Sequence, residues 1–202
     1  MISVRTYTPD DYPALLAVQR ACFPPPFPES LLWSLAQVES HHRVFPDGAM
    51  CAVDDGAICG SSTALIVRFD PAHPQHTWAE VSGDGFITTH DPAGDTLYGI
   101  DIAVRPEARG RGVARALYQA RYALVRRLGL KRFLAGSRIS GYRAHSTAMS
   151  PEDYATAVAA GRLSDPVITP QLKSGLKPCG LVRGYLPDHD SCDCALLMAW
   201  EP

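Results

Sequence analysis

A change of hydrophobic period around two glycines constrains this chain most. Residues 97 to 104, LYGIDIAV, read as a strand, and Pro106 stops it. From Val113 the spacing becomes helical. Val113, Leu117, Ala120, Leu124 and Leu128 share one face, and Arg115, Gln119, Tyr122 and Arg126 share the opposite one. Gly129 terminates the helix. RFLAG at 132 to 136 follows as a short buried strand, so strand, glycine loop, helix and strand predict a βαβ unit if the two strands run parallel.

Gly110 and Gly112 fall between the strand end and the first helical turn. A helix start carries unpaired N–H groups and a partial positive charge, and glycines let an anion approach the main chain with no Cβ in the way. The spacing excludes two nucleotide loops. A Walker A loop needs a lysine, and the loop has none; a Rossmann fingerprint needs glycine where Arg115 stands. A glycine turn that merely lets a helix pack closely on a sheet stays open as the plain structural alternative.

The pattern present is Arg109-x-x-Gly112-x-Ala114 directly after IAVRP. It resembles the Q/R-x-x-G-x-G/A acyl-CoA loop of the GNAT acyltransferase superfamily, and the order of elements along most of the chain resembles that superfamily's layout. The stretches SRISGY and YLPDHDS more loosely resemble a subgroup often attached to carbon–nitrogen hydrolase domains. The resemblance implies an α/β (α+β) fold: a mixed, mostly antiparallel central sheet flanked by helices, with splayed parallel strands around the CoA loop. It implies that Ile102, Ala103 and Val104 face the pantetheine arm of acetyl-CoA. The pyrophosphate would lie on Arg109, Gly110, Arg111, Gly112, Val113 and Ala114.

The activity implied is acetyl transfer from acetyl-CoA to an acceptor amine by direct attack, with no metal. Such a reaction needs a base for the ammonium proton and an acid for the departing thiolate. Asp101 and Glu80 are the candidate bases, and each is equally explicable as an ordinary structural carboxylate; His90 is a weaker one, in a turn. Where many relatives carry a tyrosine acid, four residues before a Gly-Phe pair, alignment on Gly175 and Leu176 places Gln171. Tyr142, Tyr154 and Tyr185, or water, are left to substitute. A non-catalytic acyl-CoA sensor or partner-binding module is the competing reading.

Elsewhere, ISVRTYT alternates as a strand, and Thr8, Pro9 and Asp11 open a helix with a core face of Tyr12, Leu15, Leu16, Cys22 and Phe23. A second helix is expected over residues 29 to 39, carrying Leu31, Leu32, Leu35 and Val38. AMCAV, DDG and AICGSSTALIV predict a hairpin. Residues 70 to 96 resist assignment. Ser150, Pro151 and Asp153 cap a helix, Thr169 and Pro170 open a shorter one, and two strands close the chain at about 179 to 185 and 194 to 200.

Residues 1 to 202 are read as a single domain with an irregular insertion at about 137 to 175, a lid or wall on the acceptor side. The acceptor pocket is expected from residues 23 to 45, 75 to 95 and 137 to 175. A formal net charge of -2 removes the broad basic field of a nucleic-acid binder, and Arg126, Arg127, Lys131 and Arg132 read as a solvated helix end. No apolar run is long enough to span a bilayer, and the six scattered cysteines fit a reducing, cytoplasmic setting. The cluster Asp188, His189, Asp190, Cys192 and Cys194 reads as a polar turn instead of a metal site. An exposed terminal strand or the insertion leaves room for a homodimer.

Overall fold

The computed structural model describes residues 1–202. Seven strands form one sheet: β1 Ser3–Thr6, β2 Ala49–Asp54, β3 Ala57–Val67, β4 Thr96–Val104, β5 Arg132–Arg138, β6 Lys177–Val182 and β7 Ala195–Trp200. Their spatial order is β1-β2-β3-β4-β5-β7-β6, and every neighbouring pair is antiparallel except β4 with β5. Six helices accompany them: α1 Tyr12–Cys22, α2 Leu35–Val44, α3 Trp78–Ser82, α4 Val113–Leu128, α5 Pro151–Ala159 and α6 Ile168–Lys173. One contiguous core joins Tyr7 near the start to Met198 near the end. No helix is long and apolar enough to cross a membrane.

Local chemistry accounts for the expected elements. Asp55 and Gly56 close the β2–β3 hairpin with φ of 49° and 82°, the positive angles a two-residue turn demands. Asp11 reaches back to the Thr8 amide at 2.9 Å, completing a capping box before α1. The parallel β4–α4–β5 unit forms as the change of period requires.

Two expectations are corrected. The helix placed over residues 29 to 39 is a single tight turn, Glu29–Leu31, after which the chain extends and α2 starts afresh at Leu35. Ser34 and Gln37 set that start through a second capping box, the Gln37 side chain accepting from the Ser34 amide at 2.9 Å. Leu35 consequently points outward, 43% exposed, while Val38 and His41 are buried. On α4, Tyr122 is buried instead of solvated: its ring stacks on Trp200 at 4.0 Å and its hydroxyl donates to the Ser174 carbonyl. The strand β7 and the chain after α6 cover that side of the helix, so the buried stripe is wider than the one read from periodicity and includes Arg121; Leu128 lies beyond it, exposed.

Candidate active site

The strands β4 and β5 pair only from Thr96 with Arg132 to Gly99 with Ala135, and then part. Just there β4 carries a bulge against β3, since Thr63 pairs with Asp101 and Ala64 with Gly99, leaving Ile100 as the extra residue. A bulge re-aims the side chains around it. Ile100, Asp101 and Ile102 line a cleft of about 120 Å³ that opens where the strands separate. Its other walls come from distant parts of the chain: Phe23, Phe27 and Trp33 before β2, Trp78 of α3, Tyr118 and Arg121 of α4, Gly136 to Arg138 of β5, Val167 and Gln171 around α6, and Tyr185. All three segments expected to build the acceptor pocket contribute.

Asp101 is the unusual group. Its carboxyl opens to the cleft on one side and is otherwise enclosed, and Oδ2 is buried with no hydrogen-bond partner. Enclosure disfavours the charged form and pushes its pKa up to about 7; the Arg121 charge and the nearby Trp33 and Gln19 side chains offset only part of that. Arg121, 1% exposed, does not bond the carboxylate. Its Nη2 donates to the carbonyl oxygens of Thr63 and Asp101, and its guanidinium packs over the Phe133 and Tyr118 rings. Five of the ten buried side-chain polar atoms without a partner belong to cleft residues: Trp33 Nε1, Asp101 Oδ2, Arg121 Nε, Ser137 Oγ and Gln171 Oε1. Orphan polar atoms in a mostly apolar cleft are what a polar ligand would satisfy.

A second arginine and aspartate meet at the rim. Arg138 donates from Nε and Nη2 to the two oxygens of Asp188 at 2.7 and 2.5 Å, and the Ser191 hydroxyl bonds the same carboxylate. Those donors hold the Asp188 carboxyl below its usual range despite its burial. Phe23 and Phe27 pack over the Arg138 guanidinium. Asp188, part of the acidic and cysteine-rich cluster, is thus used as a strut.

At the far end of β4 the glycine loop turns into α4. Gly110 and Gly112 have φ of 75° and 88°, and a Cβ on either would meet nothing within 4 Å. The amides of residues 110 to 115 donate to no backbone carbonyl, so six consecutive N–H groups stand free at a sixteen-residue helix start. Past Gly99, the edge of β4 that faces β5 is likewise free of strand pairing through Ile102, Ala103 and Val104. Both features suit an extended ligand with an anionic end. Arg109 reaches back toward the Val104 carbonyl, and Arg111 is occupied by Asp54.

The remaining sequence candidates lie elsewhere. Glu80 is exposed and caps α3, its carboxylate accepting from the Thr77 amide at 2.8 Å and the Thr77 hydroxyl at 2.9 Å. Tyr142 donates to the Met149 carbonyl, and Tyr154 to Asp165, which itself caps the entry to α6. His90 accepts from the Ile66 amide and stacks on Phe45. Tyr185 and Gln171 do reach the cleft, with Gln171 donating to the Tyr118 hydroxyl at 3.0 Å. Sequence reading missed Arg121, Trp33, Tyr98 and Tyr118. For Arg121 a signal existed: it lies four residues after Leu117 and three before Leu124, on the apolar stripe, where a charge needs a reason.

The model of the acetyltransferase (GNAT) family matches residues 12–147. An uncharacterized N-acetyltransferase of Bacillus subtilis, YkwB, is 42% identical over 99% of this chain and 88% of its own length. YhcX, a probable hydrolase of the same organism, is 35% identical over 98% of this chain, but the match spans only 38% of that longer protein. Among solved structures, the GNAT-like decarboxylase GphF, in complex with isobutyryl-CoA, is 26% identical with a TM-score of 0.82 over 98% of each chain. The loading GNATL domain of CurA from Lyngbya majuscula, 19% identical, shares the fold at a TM-score of 0.83 over 100% of this chain and 98% of that one.

Proposed function

The chain belongs to the acetyltransferase (GNAT) family, and from that premise we propose that it moves an acetyl group from acetyl-CoA to an acceptor amine by direct attack on the thioester. The observation that carries this reading is the unpartnered carboxyl of Asp101 in the wall of the cleft, beside the point where β4 and β5 part. The thioester supplies the acetyl electrophile. The free amides of Gly110, Arg111, Gly112, Val113 and Ala114 hold its pyrophosphate, and the unpaired edge of Ile102, Ala103 and Val104 takes the pantetheine arm as an added strand. Arg109 adds positive charge beside the loop, while Arg111 is paired with Asp54.

Asp101 is the base. A carboxyl that titrates near pH 7 is half ionised under ordinary conditions, strong enough to take a proton from an ammonium and weak enough to release it. The aromatic walls, Trp33, Trp78, Phe23 and Phe27, exclude water and favour an amine with an apolar body. The test is release of free CoA from acetyl-CoA across a panel of amines, for the wild type and for Asp101→Asn. Turnover by the wild type that collapses in the variant, with acetyl-CoA affinity kept, is expected. Binding of acetyl-CoA without turnover on any amine would instead identify a sensor.

One observation favours a second reading, loss of CO2 from a carboxyacyl-CoA. The fold superposes on the decarboxylase GphF at a TM-score of 0.82, against 0.57 to 0.62 for solved N-acetyltransferases. The leaving carboxylate would lie near Asp101, which repels it when ionised, and Arg138 is already taken by Asp188. Conversion of malonyl-CoA to acetyl-CoA without an acceptor, followed by mass, decides for this alternative.

A further inference from the structure

We propose that Tyr185, Tyr98 and His76 form a proton-export relay from the cleft to solvent, serving the amine acetylation proposed above and resting on that reading. The need for one follows from proton balance. The acceptor enters as an ammonium ion and leaves as a neutral amide, so it gives up two protons. The departing thiolate takes one. The other must leave a mostly apolar cleft in every turnover, and Asp101 must be emptied before the next.

The geometry supplies a directed path. Tyr185 lines the cleft, and its hydroxyl lies 3.1 Å from that of Tyr98. The Tyr98 hydroxyl is 2.7 Å from His76 Nε2, and His76 Nδ1 is 2.7 Å from the Pro74 carbonyl oxygen. A carbonyl only accepts, so Nδ1 carries the ring proton and Nε2 of the neutral imidazole accepts. Tyr98 therefore donates to His76, which leaves the Tyr98 oxygen to accept from Tyr185. Each O–H points away from the cleft and toward a half-buried histidine. Burial lowers the His76 pKa, an effect partly offset by the Pro74 bond and the Glu80 charge, so the ring is neutral and able to accept. Burial also keeps both phenols protonated, as carriers that pass a proton on without resting as phenolates.

A proton released by Asp101 into the cleft bonds to the Tyr185 oxygen as that residue's own proton passes to Tyr98. The proton of Tyr98 passes in turn to Nε2, and the resulting imidazolium loses its Nδ1 proton to water on the Pro74 side. No electrons change hands, and rotation of the hydroxyls together with a half-turn of the imidazole, which returns its proton to the Pro74 side, restores the chain. The sequence makes room for this at Gly136, the first residue of β5 beyond its pairing with β4. A Cβ there would fall 2.3 to 2.6 Å from the Tyr185 ring and hydroxyl. The backbone of Tyr185 is pinned as well, its amide bonded to the Asp193 carbonyl and its carbonyl accepting from Trp78.

Tyr98→Phe tests the relay, because it deletes the middle hydroxyl and keeps the ring. With an amine the wild type accepts, kcat should fall roughly 10- to 100-fold, with acetyl-CoA affinity by calorimetry unchanged and a smaller solvent deuterium isotope effect. His76→Ala should lose as much and recover with added imidazole, a response a purely structural role does not give. Independently of turnover, ¹⁵N NMR of the wild type should place the His76 proton on Nδ1. A Tyr98→Phe protein that turns over like the wild type, or a proton on Nε2, overturns the relay and leaves acetyl transfer standing. Absence of CoA release by the wild type with every amine overturns acetyl transfer, and the relay with it.

Discussion

Two arginine–aspartate pairs meet the same cleft and end in opposite states. Arg138 and Asp188 face each other fork to fork, with Ser191 completing the carboxylate's bonding, and Asp188 is held ionised. Arg121 is fully enclosed and Asp101 opens to the cleft on one side, yet the guanidinium spends its bonds on two backbone carbonyls, and the Asp101 carboxyl is pushed up to about 7. Desolvation raises both carboxyls, and only Asp188 has the hydrogen-bond donors to reverse it. A carboxylate whose lone pairs are all engaged is a strut; one kept beside a cation but denied its donors is poised to exchange a proton.

The most severe way to break this contrast is to neutralise each aspartate. Asp101→Asn should lower kcat by about 10²- to 10⁴-fold, some 3 to 5 kcal/mol of barrier, with little change in acetyl-CoA affinity. Steady-state kinetics with calorimetric binding would show it. Asp188→Asn should act on the fold instead: leaving Arg138 unpaired at the rim should cost about 3 kcal/mol of stability in urea unfolding. A stable Asp188→Asn protein without turnover would mean that the rim pair, too, takes part in chemistry.

The two pairs also differ in how far the sequence disclosed them. The β4–loop–α4–β5 unit was legible because hydrophobic period, Pro106, the two glycines and Gly129 all act locally, and Asp101 was named because it sits on that strand. Its state was not legible. That depends on Trp33, Gln19 and Arg121, which come together only through packing of α1, α4 and the extended stretch before α2. Asp188 read as part of a polar cluster, since its partner lies fifty residues earlier. Likewise the helix expected at residues 29 to 39 failed on Ser34 and Gln37, whose cap restarts the chain against leucines spaced to continue it.

A finer test uses pH. The folded-state pKa of Asp101 is raised, so between about pH 4 and 7 the folded chain holds the proton that the unfolded chain has lost, and stability falls as pH rises. Three units at about 1.4 kcal/mol each cap the effect near 4 kcal/mol, and the side open to the cleft reduces it to about 2 kcal/mol. Asp101→Asn should therefore match the wild type near pH 4 and exceed it by that amount at pH 8. For Asp188 the folded pKa is lowered, so its contribution is present above about pH 4 and lost as pH falls through its folded value. Unfolding curves for the two variants, each referred to the wild type, should slope oppositely with pH; parallel slopes would erase the distinction between the pairs.

The smallest expected effect concerns Glu80, the other base candidate. Its carboxylate is bonded to the amide and hydroxyl of Thr77, faces solvent, and is held below the usual glutamate range by those bonds. It therefore resembles Asp188 in being satisfied and differs from Asp101 in lying outside the cleft. Glutamine serves the N3 position of a capping box as well as glutamate does, through the same side-chain oxygen. Glu80→Gln should then leave kcat within about twofold of the wild type in steady-state kinetics. Should turnover instead collapse in Glu80→Gln while Asp101→Asn remains active, an exposed, fully bonded carboxylate would be doing the proton transfer, and the rule that separates the two buried pairs would not govern this site.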